Sequence, residues 1–259
     1  AGDRGAIALT GVVGEQADLT GSNTGTAFDV SSSTGAVTVT GAAGNDSLTG
    51  PDRSVTWNIG ATAAATHTVD TVTFSNVESL QGGTGNDNFV FADNTSGAAI
   101  FTGSVNGGTG NNTLDFSAFT TGRTVSLSQE GSAVGFVGTD DSVMHQVIAG
   151  GFDNITQIQG GTVNDVLNVR PIDSGNATAL PVTANLQQVG STIAVTAFPA
   201  VARMLSFTGF DDINTGAAVD TINVVANITA NVNTGSAADQ VTINSSATLT
   251  GNLTLHNTT

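Results

Sequence analysis

An 18-residue pattern that returns along the chain constrains the fold more than any other feature. Its fullest copy, Phe74 to Phe91, contains a glycine-rich turn followed by Asp87 and the apolar Phe89. The copies, with increasing departures from this one, are residues 33–50, 74–91, 99–116, 152–169, 207–224 and 226–243. Repetition at a fixed short period indicates a unit that buries its apolar face only by stacking on its neighbours.

The spacing within the pattern predicts strands. Positions 7 and 16, which are Leu80 and Phe89 in one copy and Ile158 and Leu167 in another, are apolar, and position 18 follows on the same strand face. Each unit therefore predicts two short inward-facing strands joined by a glycine turn. We expect an all-β chain that forms a right-handed parallel β-solenoid, between β-roll and β-helix, with about ten or more coils.

The solenoid is expected to run through residues 1–259 as one body, with irregular places. Intervals of 41 to 55 residues between some copies predict further coils, with candidates at 55–59, 125–137 and 186–195. Loop or flap excursions are expected near 51–70 and 171–200, since the second range contains three of the four prolines. Residues 241–255 keep their apolar alternation without a helix to cap it, so unpaired strand edges are expected there.

Charge limits the classes of partner. Five arginines and no lysine face 21 acidic residues, which gives a net charge of -16. Nucleic acid and anionic membrane surfaces are therefore not expected as partners. No apolar run is long enough to span a bilayer, and residues 1–10 lack a signal-peptide pattern, so the chain is expected to be a mature or excised piece.

The segment Gly82 to Val90 resembles the calcium-binding nonapeptide of the repeats-in-toxin proteins. The whole unit is similar to the repeats of large bacterial surface adhesins and filamentous-haemagglutinin-like proteins. The resemblance implies a secreted or surface-displayed bacterial protein in which aspartates and backbone carbonyls of adjacent turns share calcium. The metal-site residues that it implies here are Asp46, Asp87, Asp165, Gly83 and Gly85.

Other copies depart from that motif. Val163 occupies the third glycine position, Asn112 replaces the aspartate, and no nonapeptides follow one another every nine residues. The alternative interpretation is that the aspartates cap tight turns by binding nearby backbone N–H groups. For Asp220 and Asp239 this alternative is the preferred one.

The sequence contains no convincing constellation of catalytic groups. The histidines, His67, His145 and His256, stand alone and are expected on the surface or in loops. The acidic pairs Asp140–Asp141 and Asp211–Asp212 are poor acid/base dyads, because adjacent strand residues point to opposite faces. Trp57 lies outside the repeats and stays undecided between the core and a sugar-binding surface.

These observations predict a non-enzymatic extracellular protein without catalytic residues. We expect a segment or subunit of a bacterial adhesin, filament or surface layer, stabilised by calcium, which associates end to end or laterally. Cell-surface polysaccharide is a further candidate partner. The alternative is a polysaccharide-active enzyme or carbohydrate-binding module on a β-helix, which an outward cleft with converging acids and Trp57 would favour.

Overall fold

The structure is a computed structural model that describes residues 6–8, 17–62, 65–93, 101–142, 146–172, 179–196 and 202–256. The described residues form strands and turns without any helix, and most strands belong to two long sheets. No helix in these ranges is therefore available to cross a membrane. The prediction of an all-β chain with long parallel sheets is confirmed.

Sheet 1 has twelve strands. Their spatial order is β1 (Ala6–Ala8), β3 (Ala27–Asp29), β5 (Ser47–Thr49), β9 (Ser79–Gln81), β11 (Val105–Asn106), β15 (Phe152–Ile155), β14 (Phe136–Asp140), β13 (Thr124–Glu130), β17 (Val166–Ile172), β21 (Asp212–Asn214), β24 (Asn231–Ser236) and β27 (Leu253–His256).

Sheet 2 has thirteen strands. Their spatial order is β2 (Ala17–Thr20), β4 (Val37–Thr40), β8 (Val72–Ser75), β7 (His67–Val69), β6 (Thr56–Ile59), β10 (Asn88–Phe91), β12 (Thr113–Asp115), β16 (Gln157–Gln159), β20 (Ala202–Thr208), β19 (Ser191–Thr196), β18 (Val182–Leu186), β22 (Thr221–Val224) and β25 (Gln240–Ile243). A short third sheet pairs β23 (Ile228–Thr229) with β26 (Leu249–Thr250).

The core consists of apolar side chains stacked in register from strand to strand. In sheet 1, Leu48 of β5 lies beside Leu80 of β9, which lies beside Val105 of β11, and all three are buried. Polar residues alternate with them and face outward, as the period of two requires. Each strand is too short to bury its apolar face alone, so this core exists only because the strands stack.

The two strands of one repeat lie in opposite sheets. Leu80 is in sheet 1 and Phe89 is in sheet 2, whereas the equivalent Ile158 is in sheet 2 and Leu167 is in sheet 1. All four side chains are at most 2% exposed. The pattern therefore specifies an inward position but not which sheet receives it.

Three antiparallel meanders interrupt the parallel pairing. They are β6–β7–β8, β13–β14–β15 and β18–β19–β20, and in each the chain reverses twice before it continues. The three segments proposed above as extra parallel coils, 55–59, 125–137 and 186–195, supply strands of these meanders. The prediction is wrong for β14 and β19, which are antiparallel on both sides, whereas β6 and β13 also pair parallel with β10 and β17. Alternation of apolar residues is the same in parallel and antiparallel strands, so it does not distinguish the two.

The second meander is anchored by a buried ion pair. Arg123 Nη2 donates to Asp140 Oδ2 at 2.6 Å, and both side chains are fully buried. The guanidinium also lies 4.4 Å from the ring centre of Phe119 and 5.3 Å from that of Phe116. Asp140 accepts a further hydrogen bond from the backbone N–H of Val147 at 2.7 Å. This network fixes the start of β13 to the end of β14.

Two residues that the sequence left outside the core lie within it. Trp57 is fully buried, stacks on Phe89 with 5.2 Å between ring centres, and meets Phe74 edge-on. His67 is 1% exposed, and its Nδ1 accepts the backbone N–H of Gly60 at 3.0 Å. The expectation of a surface or loop position for His67 is therefore wrong, while His145 lies outside the described residues.

Candidate functional site

The predicted metal residues lie at the corners of the fold, where the chain enters a strand. Asp46 precedes β5, Asp87 precedes β10 and Asp165 precedes β17, and their exposure is 1%, 1% and 0%. β5 and β17 are at distant places in sheet 1, and β10 is in sheet 2. The structure therefore gives each aspartate its own environment and does not bring the three together.

Each of these carboxylates faces backbone N–H groups. Asp46 Oδ1 accepts from Thr26 N at 2.6 Å, and its Oδ2 accepts from Ala42 N at 2.9 Å. Asp165 Oδ1 accepts from Arg123 N at 2.6 Å. Thr26 and Arg123 occupy the same place in front of the neighbouring strand, so the carboxylate joins one strand entrance to the next.

The same arrangement continues to other acidic and amide residues. Asp46 N donates to Glu78 Oε2 at 2.7 Å, and Asp165 N donates to Asp211 Oδ2 at 3.0 Å. We call the members of this set the corner residues, and each directly precedes a strand: Asp46, Glu78, Asp87, Asn112, Asp165, Asp211, Asp220 and Asp239. Sequence reasoning did not assign this role to Glu78 or Asp211, although their position one residue before an alternating run was a usable signal.

Asp87 shows how two corner residues and the glycine turn fit together. Its Oδ2 accepts from Gly83 N at 3.2 Å, and its own N–H donates to Asn112 Oδ1 at 3.0 Å. Gly85 packs against the backbone of the Arg53–Ser54 turn, where a Cβ would lie 2.2 Å from Ser54 N. The two glycines thus serve turn geometry and close packing in this arrangement.

Asp220 and Asp239 use the same device at the last strands of sheet 2. Asp220 Oδ1 accepts from Val182 N at 2.8 Å, and Asp220 N donates to Asp239 Oδ1 at 2.9 Å. Their partners belong to neighbouring strands, which lie 38 and 19 residues away in the sequence. Asp220 also accepts a hydrogen bond from Gly216 N in its own turn, so for this residue the expected turn-capping role is combined with a link between strands.

Burial makes the charged form of these acids unfavourable. Desolvation raises the pKa of Asp87 to about 6, although N–H groups of Gly83, Val55 and Trp57 favour the ionised form. Desolvation likewise raises the pKa of Asp165 to about 6, with a further increase from the nearby Asp211. Burial also raises the pKa of Asp220 and Glu78. A proton on these groups would relieve part of the desolvation cost.

The surroundings of the corner carboxylates differ from those that calcium requires. Calcium takes six to eight oxygen ligands, whereas these carboxylates accept hydrogen bonds from backbone N–H groups. Among the described residues, no three side chains of His, Cys, Asp or Glu are grouped to hold a metal. As placed, Asp46, Asp87 and Asp165 are arranged as hydrogen-bond acceptors, and calcium binding stays a prediction.

A second candidate site is the pair of strand edges at the end of the described chain. β27 is the last strand of sheet 1 and β25 the last of sheet 2. Ile243, Leu253 and Leu255 on these strands are 47%, 38% and 46% exposed. At the other end, Ile7 of β1 and Leu19 of β2 are only partly buried against the core. Both ends thus present backbone and apolar groups that another strand could cover.

Comparison with known proteins gives no relative for this arrangement. No family model, curated protein or solved structure matches the chain.

Proposed function

We propose that this chain is a structural and adhesive segment of an extracellular bacterial protein, a surface adhesin, filament or surface layer. It acts without catalysis and associates with other copies end to end or laterally. In this proposal the body is a right-handed solenoid of about ten or more coils, similar in kind to the repeats-in-toxin and filamentous-haemagglutinin-like proteins.

The observation that carries the proposal is the pair of long sheets whose terminal strands have no further strand beside them among the described residues. Thirteen strands at about 4.8 Å each correspond to a rod on the order of 60 Å long. Ile243 and Leu255 at one end would lose exposed apolar surface when another strand covers them. Burial of such surface and pairing of free N–H and C=O groups both favour end-to-end contact.

The positions of the candidate catalytic and sugar-binding residues support a role without catalysis. Trp57 is in the core, Asp140 is paired with Arg123, and Asp211 accepts the N–H of Asp165. Each is engaged in holding the fold together. The predicted partners, cell-surface polysaccharide and calcium, would act from outside this framework, with calcium drawn by the net charge of -16.

The proposal is tested by electron microscopy and sedimentation of the purified chain. We expect concentration-dependent rods or fibres that lengthen by end-to-end addition, and shorter species for a variant with Ile243→Lys and Leu255→Lys. Val189→Lys is the matched control, because Val189 is 73% exposed in the turn between β18 and β19 and belongs to neither terminal strand. Monodisperse particles of the unmodified chain at all concentrations would refute the proposal.

Calcium is tested in the same preparations. Addition of a chelator should shorten the assemblies and lower the thermal midpoint if calcium stiffens the turns, and added calcium should restore both. Assemblies that are indifferent to chelator and calcium would remove calcium from the proposal while leaving the edge contacts in place.

A further inference from the structure

A groove crosses the ends of three neighbouring strands of sheet 1, β17, β21 and β24. Its volume is about 360 Å³, and its walls include Pro171, Leu180 and Ala217. Arg170 lies at one end and Ser236 at the other side. The volume is within the range of small-molecule sites, which is roughly 300–1,000 Å³.

Gly216 keeps this groove open. A Cβ at this position would lie 3.5 Å from the nearest atoms, Arg170 Cα and Val169 O, which is ordinary contact, and its φ is not in the left-handed region. The neighbouring Gly235 differs, since it has a φ of 76° and a Cβ there would come within 1.9 Å of Gly216 O. Backbone geometry therefore requires glycine at 235 but not at 216, where a side chain would instead fill the groove.

Arg170 is a cation that the fold does not use. Arg53 pairs with Asp70, Arg123 pairs with Asp140, and Arg203 donates to backbone carbonyls of the β13–β14 turn. Arg170 is exposed and has no hydrogen bond or ion pair among the described residues. A free guanidinium is suited to a planar carboxylate, because its fork of N–H donors matches the two carboxylate oxygens.

The backbone beside the groove is strained. Ala237 follows the groove residue Ser236 and has a φ of 134°, a conformation that side chains of L-amino acids rarely adopt. Strain of this kind persists mostly at functional positions. The strained turn fixes the direction in which Ser236 leaves β24.

The residues that line the groove limit the chemistry of the part of a ligand that lies beyond Arg170. Pro171, Leu180 and Ala217 offer carbon atoms, and the hydroxyl of Thr215 already donates to Thr234 O at 3.0 Å. A sugar would bring several hydroxyl groups that lose water and find few partners here. Arg170 is the only charged residue among the described residues that line the groove, so an anionic group is favoured at the Arg170 end and an apolar one over Gly216.

We propose that this groove binds a small monocarboxylate with a compact apolar body, with its carboxylate on Arg170 and its body over Gly216. The ligand class is an aliphatic or aromatic acid. The groove ends on β24, the strand next to the terminal strand β27.

The test is titration of the purified chain with phenylacetate, observed by ligand NMR, in parallel with phenylacetamide, acetate and galacturonate. Phenylacetate should bind best, and Arg170→Gln should weaken it by about tenfold, the usual scale for a charge-assisted contact. Gly216→Leu should abolish binding while the thermal midpoint stays unchanged. Arg53→Gln, which removes an arginine elsewhere, should bind as the unmodified chain does.

Several outcomes would overturn the proposal. Equal binding of phenylacetamide would show that Arg170 does not select a carboxylate, and tighter binding of galacturonate would exclude the apolar body. Unchanged binding in Gly216→Leu would place the ligand elsewhere, and absence of binding by all four probes would remove the site.

Discussion

The buried corner carboxylates should make the protein more stable at pH 5 than at pH 8. The pKa of Asp87 and of Asp165 is raised by burial from 3.8 to about 6 in the folded chain. A raised pKa means that folding favours the protonated acid. The resulting stabilisation is fully present below the unfolded value and is lost as the pH rises through the folded value.

The magnitude follows from proton linkage. Between pH 8 and pH 5, each of these two carboxyls should add about 1.4 kcal/mol to the free energy of unfolding, or about 3 kcal/mol together. For a chain of this size, such a change corresponds to an increase of about 6–12 °C in the thermal midpoint. Glu78 and Asp220, whose pKa values are also raised, add a change of the same sign.

The structure offers a matched substitution for the test. Asn112 occupies a corner position, accepts the N–H of Asp87 and donates to Asn154 O at 3.1 Å. Asp87→Asn and Asp165→Asn should therefore keep the strand links, raise the thermal midpoint at pH 8 and flatten the change toward pH 5. Asp141→Asn removes an exposed acid and should leave the slope unchanged.

The assay is thermal unfolding by circular dichroism at several pH values, in the presence of a chelator. A midpoint that is higher at pH 8 than at pH 5 in the unmodified chain would refute the reasoning. So would asparagine variants that keep the full slope. A reversal of the slope when calcium is added would instead indicate that the metal binds the ionised carboxylates.

Three further predictions concern the core and the turns. Arg123→Leu should lower the free energy of unfolding, measured by urea titration, by about 3–5 kcal/mol, because it leaves Asp140 buried without its partner. The double variant Arg123→Leu with Asp140→Leu should recover part of that loss. Gly41→Ala should lower the thermal midpoint strongly, since a Cβ there would lie 1.6 Å from a backbone oxygen, while Gly216→Ala should leave it unchanged. Trp57→Leu should lower the free energy of unfolding by about 2–4 kcal/mol, because it removes a buried ring. In the unmodified chain, the fluorescence of Trp57 should resist quenching by acrylamide, and strong quenching would contradict its burial.

Much of the core is predictable from the sequence alone. Leu80, Phe89, Ile158 and Leu167 are buried as the repeat predicts, because alternation of apolar residues specifies an inward face wherever a strand packs on a core. The aspartate that ends each glycine turn was also singled out correctly as a special position. Its contacts within its own turn, Asp46 with Ala42 N and Asp87 with Gly83 N, agree with the turn-capping alternative. Its links to the neighbouring strand were not predicted, since backbone N–H groups of a neighbouring strand have no signature in the sequence.

The roles of His67 and Arg123 could not be inferred in the same way. His67 lies against Phe74 and Phe101, and Arg123 lies against Phe119 and Asp140. A lone histidine or arginine between polar residues suggests a solvated position. Only the packing of distant segments provides the rings and the carboxylate that make burial favourable.

The sequence alone thus determined that the chain is a stack of short strands with apolar inner faces and glycine turns, since those properties depend on local spacing. Strand direction and sheet assignment were decided by tertiary structure. β13 and β14 have the same alternation as a parallel coil, yet pair antiparallel and place Asp140 beside Arg123. That choice depends on which long-range contacts best bury the faces and satisfy the polar groups, and a period of two does not encode it.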